Sequence, residues 1–112
     1  MFNYVSEQYG SEPEYLWAKT PDTAVLRHKG TKKWYAIFMD IPRRYLGLAG
    51  EEHIDIMNVK CTPAVREIML AEGSAYPAYH MNKQHWISLP LDGSLEFETI
   101  VSLVCESYEL TK

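Results

Sequence analysis

Four histidines, two cysteines and an uneven spread of cations are what this chain offers for chemistry. The densest run is YPAYHMNKQHWISL at 76–89, where His80, Asn82, Lys83, Gln84 and His85 sit among Tyr76, Tyr79 and Trp86. Asn82–Lys83 suits a turn, because asparagine tolerates left-handed backbone and its short side chain bonds nearby backbone. A turn there sets His80 and His85 facing each other across a hairpin. A straight run points them to opposite faces, since their separation is odd. At a tip, Asn82 and Gln84 have the amide geometry for a base edge, and Lys83 suits a phosphate. The plainer reading is structural: Tyr79, Trp86, Ile87 and Leu89 are core-forming types, and a histidine beside them ordinarily satisfies a local hydrogen bond.

The second constellation is cationic. RHKGTKKW at 27–34 reads as a hairpin tip carrying Arg27, His28, Lys29, Lys32 and Lys33. Such a tip can straddle phosphates, each contact displacing condensed counterions, with Trp34 or Tyr35 stacking if one faces outward. Lysines also collect at turns and guard sheet edges with no ligand in view. Arg43 and Arg44 in PRRYLG add to the tip only if they lie beside it in space. From Arg27 to Arg44 six basic residues stand against Asp40, a net +5, while the remainder holds five basic and fourteen acidic residues, a net −9. That asymmetry marks a polar molecule, although the overall charge of −4 is mildly unfavourable for nucleic acid.

Other chemistries find less support. His28, His53, His80 and His85 lack an HExxH spacing or a cysteine partner, and His53 with Asp55 is a pair common by chance. No GxSxG, glycine-rich phosphate loop or Cys–His spacing is present, so neither an enzyme nor a cofactor is expected. His80 or His85 has the right ordinary pKa for acid–base work, but nothing nearby recruits it. Glu51 and Glu52 fall at a predicted turn, where solvation explains them.

These residues need elements to position them, and 112 residues make one domain with a single modest core. A content of 46% hydrophobic and 23% charged residues argues against disorder. The longest uncharged, mostly apolar run, Ile100–Cys105, is far too short to cross a bilayer, so no membrane is expected. No basic stretch followed by an apolar run opens the chain, so a secretory leader is not expected either. Cys61 and Cys105 stand apart and read as free thiols of a cytoplasmic protein.

Phe2–Tyr9 reads as a short helix ended by Gly10 and Ser11. TAVLRH and KWYAIFMDI read as strands joined at KGTK. Trp34, Ala36 and Phe38 alternate with Tyr35, Ile37 and Met39, which predicts a central strand apolar on both faces. RYLGL is expected to add a strand and EEHIDIMNVK another, antiparallel by their short connections. Thr62 then caps a helix with Pro63 at its first position, Val65, Ile68 and Met69 on one face, and Gly73 just past its end. HWISL forms the next strand, and LDGS leads into a last helix with Phe97, Ile100, Val101, Val104 and Tyr108 on one stripe. The order is α-β(several)-α-β-α: an α+β two-layer sandwich, a mainly antiparallel sheet with N-terminal, middle and C-terminal helices.

NVKC at 58–61, the capped helix, YPAYHMNKQHWISL at 76–89, LDGS at 91–94 and SYEL at 107–110 come in the order of the MmcQ/YjbR family, which the chain resembles over nearly its whole length. The YHMNK..HW core is quite specific to that family. The chain departs from it in its short start, where family members usually carry a longer first helix. The resemblance implies a CyaY-like (frataxin-like) fold, a bacterial cytoplasmic protein, and DNA binding through a double-wing arrangement of hairpins. Frataxin-like iron binding would need a dense acidic ridge near the first helix, and Glu7, Glu12 and Glu14 are too sparse for one. Two functions remain. One is duplex DNA binding, with Arg27, His28, Lys29, Lys32, Lys33, Arg43 and Arg44 as the first contact set and His80, Asn82, Lys83 and His85 as the second tip. The other is a non-enzymatic protein-interaction or small-ligand-binding domain. For DNA, the acidic last helix, with Glu96, Glu98, Glu106 and Glu109, is expected to lie away from the duplex.

Overall fold

Thr62, Pro63 and Gly73 delimit the middle helix as their chemistry dictates. The Thr62 hydroxyl accepts from the Val65 amide at 3.3 Å, Pro63 occupies the first helical position, and Gly73 takes a left-handed φ of 71°. Ser74 and Gly73 then donate back to Met69 and Leu70, the paired bonds of a glycine-closed helix end. The computed structural model describes residues 2–79 and 81–112, and of residues 2 and 3 the backbone alone. Among the described residues the helices are α1 (Phe2–Tyr9), α2 (Pro63–Ala71) and α3 (Phe97–Leu110). The strands are β1 (Ala24–Arg27), β2 (Trp34–Pro42), β3 (His53–Lys60), β4 (Tyr76–Pro77) and β5 (Trp86–Pro90). Their order is β1-β2-β3-β5-β4 and every pairing is antiparallel, so the chain is an α+β protein built on one sheet.

The sheet has two unlike faces. On one, Leu26, Ala36, Met57, Val59, Ile87 and Leu89 meet Val5 of α1, Met69 of α2, and Leu103 and Val104 of α3, forming the main core. Each of these side chains except that of Ala36 contributes about 1.5–3 kcal/mol by leaving water. On the opposite face, free of α-helix, Ile41, Ile54 and Ile56 are covered by Met39, Leu46, Leu48 and Tyr79.

Three expectations need correcting. RYLGL is not a strand: Arg43–Leu46 is a 3-10 helix closed by Gly47 at φ 77°, and the turn tucks Leu46 and Leu48 against the helix-free face. The regular alternation of β2 breaks at a bulge, because Leu26 pairs with Ala36 while Arg27 pairs with Trp34, leaving Tyr35 as an extra residue. Tyr35 therefore joins the helix-side core with Ala36, and Trp34 shares the helix-free face with Ile37 and Met39. Finally, Ile68 and Phe97 stay 57% and 49% exposed. The packed stripes are Val65 and Met69 in α2, and Ile100, Leu103, Val104 and Tyr108 in α3.

Candidate functional site

Tyr79 is bound to the helix-free face by two buried polar side chains. Asn58 and Ser88 pair across β3 and β5 and are fully buried. Asn58 Nδ2 donates to the Tyr79 carbonyl at 2.8 Å, Ser88 Oγ donates to Asn58 Oδ1, and the Tyr79 amide donates to Ser88 Oγ at 3.0 Å. Each buried polar group thereby has a partner, and Tyr79 is held over the sheet. Beyond it, Asn82 Oδ1 accepts from the Gln84 amide at 2.8 Å, and the Asn82 carbonyl accepts from Trp86 at 3.0 Å. The expected turn exists, built by side-chain bonding, and Lys32 is the described non-glycine residue with left-handed backbone. Lys83 Nζ donates to the Ala78 carbonyl at 3.0 Å, closing the loop on itself. His85 is exposed; His80 lies outside the described residues.

The first cationic tip is thinner than its sequence promises. Arg27 is held by Glu14 through two bonds of 2.6 Å, which also keep the Glu14 carboxyl below its ordinary range. His28 is buried, its Nε2 lying 2.8 Å from Thr111 Oγ1 and its ring against Tyr108 and Tyr35. It anchors the C-terminus and is not a surface contact. Lys29, Lys32 and Lys33 are exposed, and among the described residues no carboxylate lies within ion-pair distance of them. Glu109 of α3 pairs with Lys112, one residue beyond Thr111, so the acidic helix ends beside this tip instead of away from it.

Strand register decides which candidates meet. Arg27 pairs with Trp34, Ala36 with Val59 and Lys60 with Trp86, so Lys29, Lys32 and Lys33 share an end of the sheet with Lys83 and His85. Arg43 and Arg44 follow the far end of β2, nine residues away, roughly 30 Å at a strand's rise. There the Arg43 backbone amide donates to the Glu52 carbonyl at 3.0 Å, and its Nε donates to the Ala49 carbonyl at 3.3 Å. Arg44 stacks its guanidinium over Tyr45 at 5.1 Å.

The feature that sequence reasoning missed is a cavity of about 440 Å³ on the helix-free face. Ile37, Met39 and Ile41 of β2 floor it. Trp17 and Trp34, edge to face at 5.6 Å, wall one part, while Tyr45 and Tyr79, stacked at 5.4 Å, wall another. Thr20, Thr23 and Met81 complete the rim. Asp40 also borders the cavity, yet as the residue between Met39 and Ile41 it points to the other face. Its carboxylate there bonds His53 Nδ1 at 2.9 Å, and its strand partner is Asp55. Among the described residues, no charged side chain is directed into the cavity. The exposed run Tyr15, Leu16 and Trp17 was the available clue in the sequence.

An all-antiparallel sheet with helices on one face and an aromatic cavity on the other defines a small α+β protein. The chain belongs to the YjbR family, whose profile it matches over residues 6–110. It is 41% identical over 112 residues to an uncharacterised Bacillus subtilis protein, YyaQ, covering all of this chain and 95% of that one. It is 36% identical over 59 residues to Escherichia coli YjbR, covering 52% of this chain and 50% of that protein. A Pseudomonas syringae crystal structure superposes with a TM-score of 0.94 at 40% identity, covering 99% of this chain and 95% of the other. A Deinococcus radiodurans protein with a DUF419 domain shares the fold at a TM-score of 0.67 and 22% identity, covering 96% and 75% of the two chains.

Proposed function

We propose that this protein is a non-enzymatic binding domain that takes a small molecule into the cavity on the helix-free face of its sheet. One observation carries the reading: two aromatic pairs and an aliphatic floor converge on a concave space of about 440 Å³, within the size range of ligand pockets. Aromatic groups left lining a space of that size supply a large contact area at low entropic cost. We read the layout as a CyaY-like sandwich, supported by an antiparallel sheet with α1, α2 and α3 packed on one face, and the unbridged Cys61 and Cys105 support a reducing, cytoplasmic setting.

A fragment screen by NMR tests the reading, with neutral, cationic and anionic compounds in equal number. Binders are expected to shift the indole N–H signals of Trp17 and Trp34 and to leave Trp86, which does not line the cavity, in place. A screen in which no compound of any charge moves Trp17 or Trp34 overturns it.

A second reading, DNA binding, rests on Lys29, Lys32 and Lys33, exposed at the same end of the sheet as Lys83 and His85. Anisotropy with duplex DNA across a salt series tests it. Each phosphate contact adds about 0.9 to the slope of log affinity against log salt, so exchanging the three lysines for glutamine is expected to lower that slope by up to about 2.7. No binding at low salt ends this reading and leaves the cavity untouched.

A further inference from the structure

The charge pattern around the cavity narrows what fits it. Resting on the ligand-binding reading above, we infer that the ligand is an uncharged, planar aromatic molecule of two or three fused rings. The alternation of β2 sends Ile37, Met39 and Ile41 to the cavity and turns Asp40 away, onto the face where it meets His53. Arg44, which does not line the cavity, lies with its guanidinium over the Tyr45 ring. Among the described lining residues, a phosphate or carboxylate meets no cation to replace its water, and an ammonium meets no carboxylate turned toward it; either leaves solvent without a partner there.

Flat apolar molecules fare differently. Trp17 and Trp34 already stand edge to face, and Tyr45 and Tyr79 stack, so the walls present both ring faces and ring edges to a third ring. The thioethers of Met39 and Met81, both in the lining, adapt to the rim of a fused ring system. Thr20 and Thr23 supply hydroxyl chemistry at the border, enough to orient one neutral polar substituent such as a phenol or a carbonyl.

Three congeners of one ring system test the inference: 2-naphthol, 2-naphthoate and 2-naphthylmethylamine, neutral, anionic and cationic at pH 7. Affinities come from NMR titration followed at Trp17, Trp34 and the Met39 and Ile41 amides. Expected is saturable binding of 2-naphthol, at least about tenfold tighter than either charged congener. Trp17→Ala, a change in an exposed loop that leaves the core alone, is expected to weaken 2-naphthol by about tenfold. Equal or tighter binding of a charged congener overturns the uncharged-ligand inference and leaves the cavity reading standing. So does a screen with binders at Trp17 and Trp34 in which 2-naphthol is not among them, which overturns the aromatic class. Silence of every compound at those residues removes the cavity reading itself.

Discussion

Lys32 holds a φ of 66°, the left-handed value that glycine adopts without penalty and a lysine does not. The hairpin needs it there: Lys32 donates to the His28 carbonyl at 2.9 Å, and His28 donates to Lys33 at 2.9 Å, so the chain must reverse within Lys29–Lys33. Gly30, the residue that composition makes the natural turn former, does not carry that conformation. Lys32→Gly is therefore expected to raise stability by about 0.5–1 kcal/mol, the relief of left-handed strain less the entropy glycine adds to the unfolded chain. Urea melts of the two proteins measure it, and an unchanged or lower midpoint contradicts the strained turn. Lys32→Gln removes the charge and keeps the strain, so the pair of variants separates the backbone effect from any loss of duplex affinity.

At the scale of elements, the Asn58–Ser88–Tyr79 network decides whether Tyr79 and residues 81–85 are a wall or a flap. Asn58→Ala strips the Tyr79 carbonyl and Ser88 Oγ of a partner inside a fully buried site. The expected cost is about 1–3 kcal/mol for the orphaned groups, with faster amide exchange through the loop. Because Tyr79 and Met81 line the cavity, 2-naphthol affinity should fall as well; a loop still protected against exchange in this variant would show that other bonds hold it. Local signals made the helix boundaries and most strands legible in the sequence, since Thr62, Pro63 and Gly73 act on their own neighbours. The bulge at Tyr35 was not legible, because it arises from the pairing of Leu26 and Arg27 with β2 and flips Trp34 without changing composition. For the same reason the cavity was hidden: Trp17, Trp34, Tyr45 and Tyr79 come from four separate segments, and only the sheet brings them together. The candidate cations failed as one set through geometry of the same kind, Arg27 finding Glu14 and Arg43–Arg44 falling at the far end of β2.

Over the whole molecule, the end of the sheet that carries the lysines is closed by the C-terminus through His28. The Thr111 hydroxyl donates to the Ser107 carbonyl at 2.7 Å and so accepts from His28 Nε2, which places a proton on that nitrogen. Burial lowers the His28 pKa below its ordinary value; the Tyr108 backbone opposes this, Lys112 and Lys33 add to it, and Glu109 works against them. An unfolded chain titrates this imidazole near about 6.5, above the folded value. Between the two the unfolded state holds more protons, so stability rises with pH through that window and is lost as pH falls below the unfolded pKa. The sign is opposite to that of a histidine paired with a carboxylate. Glu14, held low by Arg27, also costs stability on acidification, but only on descent through the carboxylate range, which separates the two effects. Urea midpoints at pH 7.5 and 5.5 should therefore drop on acidification in the parent protein and drop less in His28→Gln, whose amide can still donate to Thr111. The C-terminal amides of Ser107–Thr111 should lose exchange protection first, since the ring that takes up the charge is buried against Tyr108 and beside Thr111. A parent and variant that lose the same stability between these two pH values would show that His28 does not close this end of the molecule.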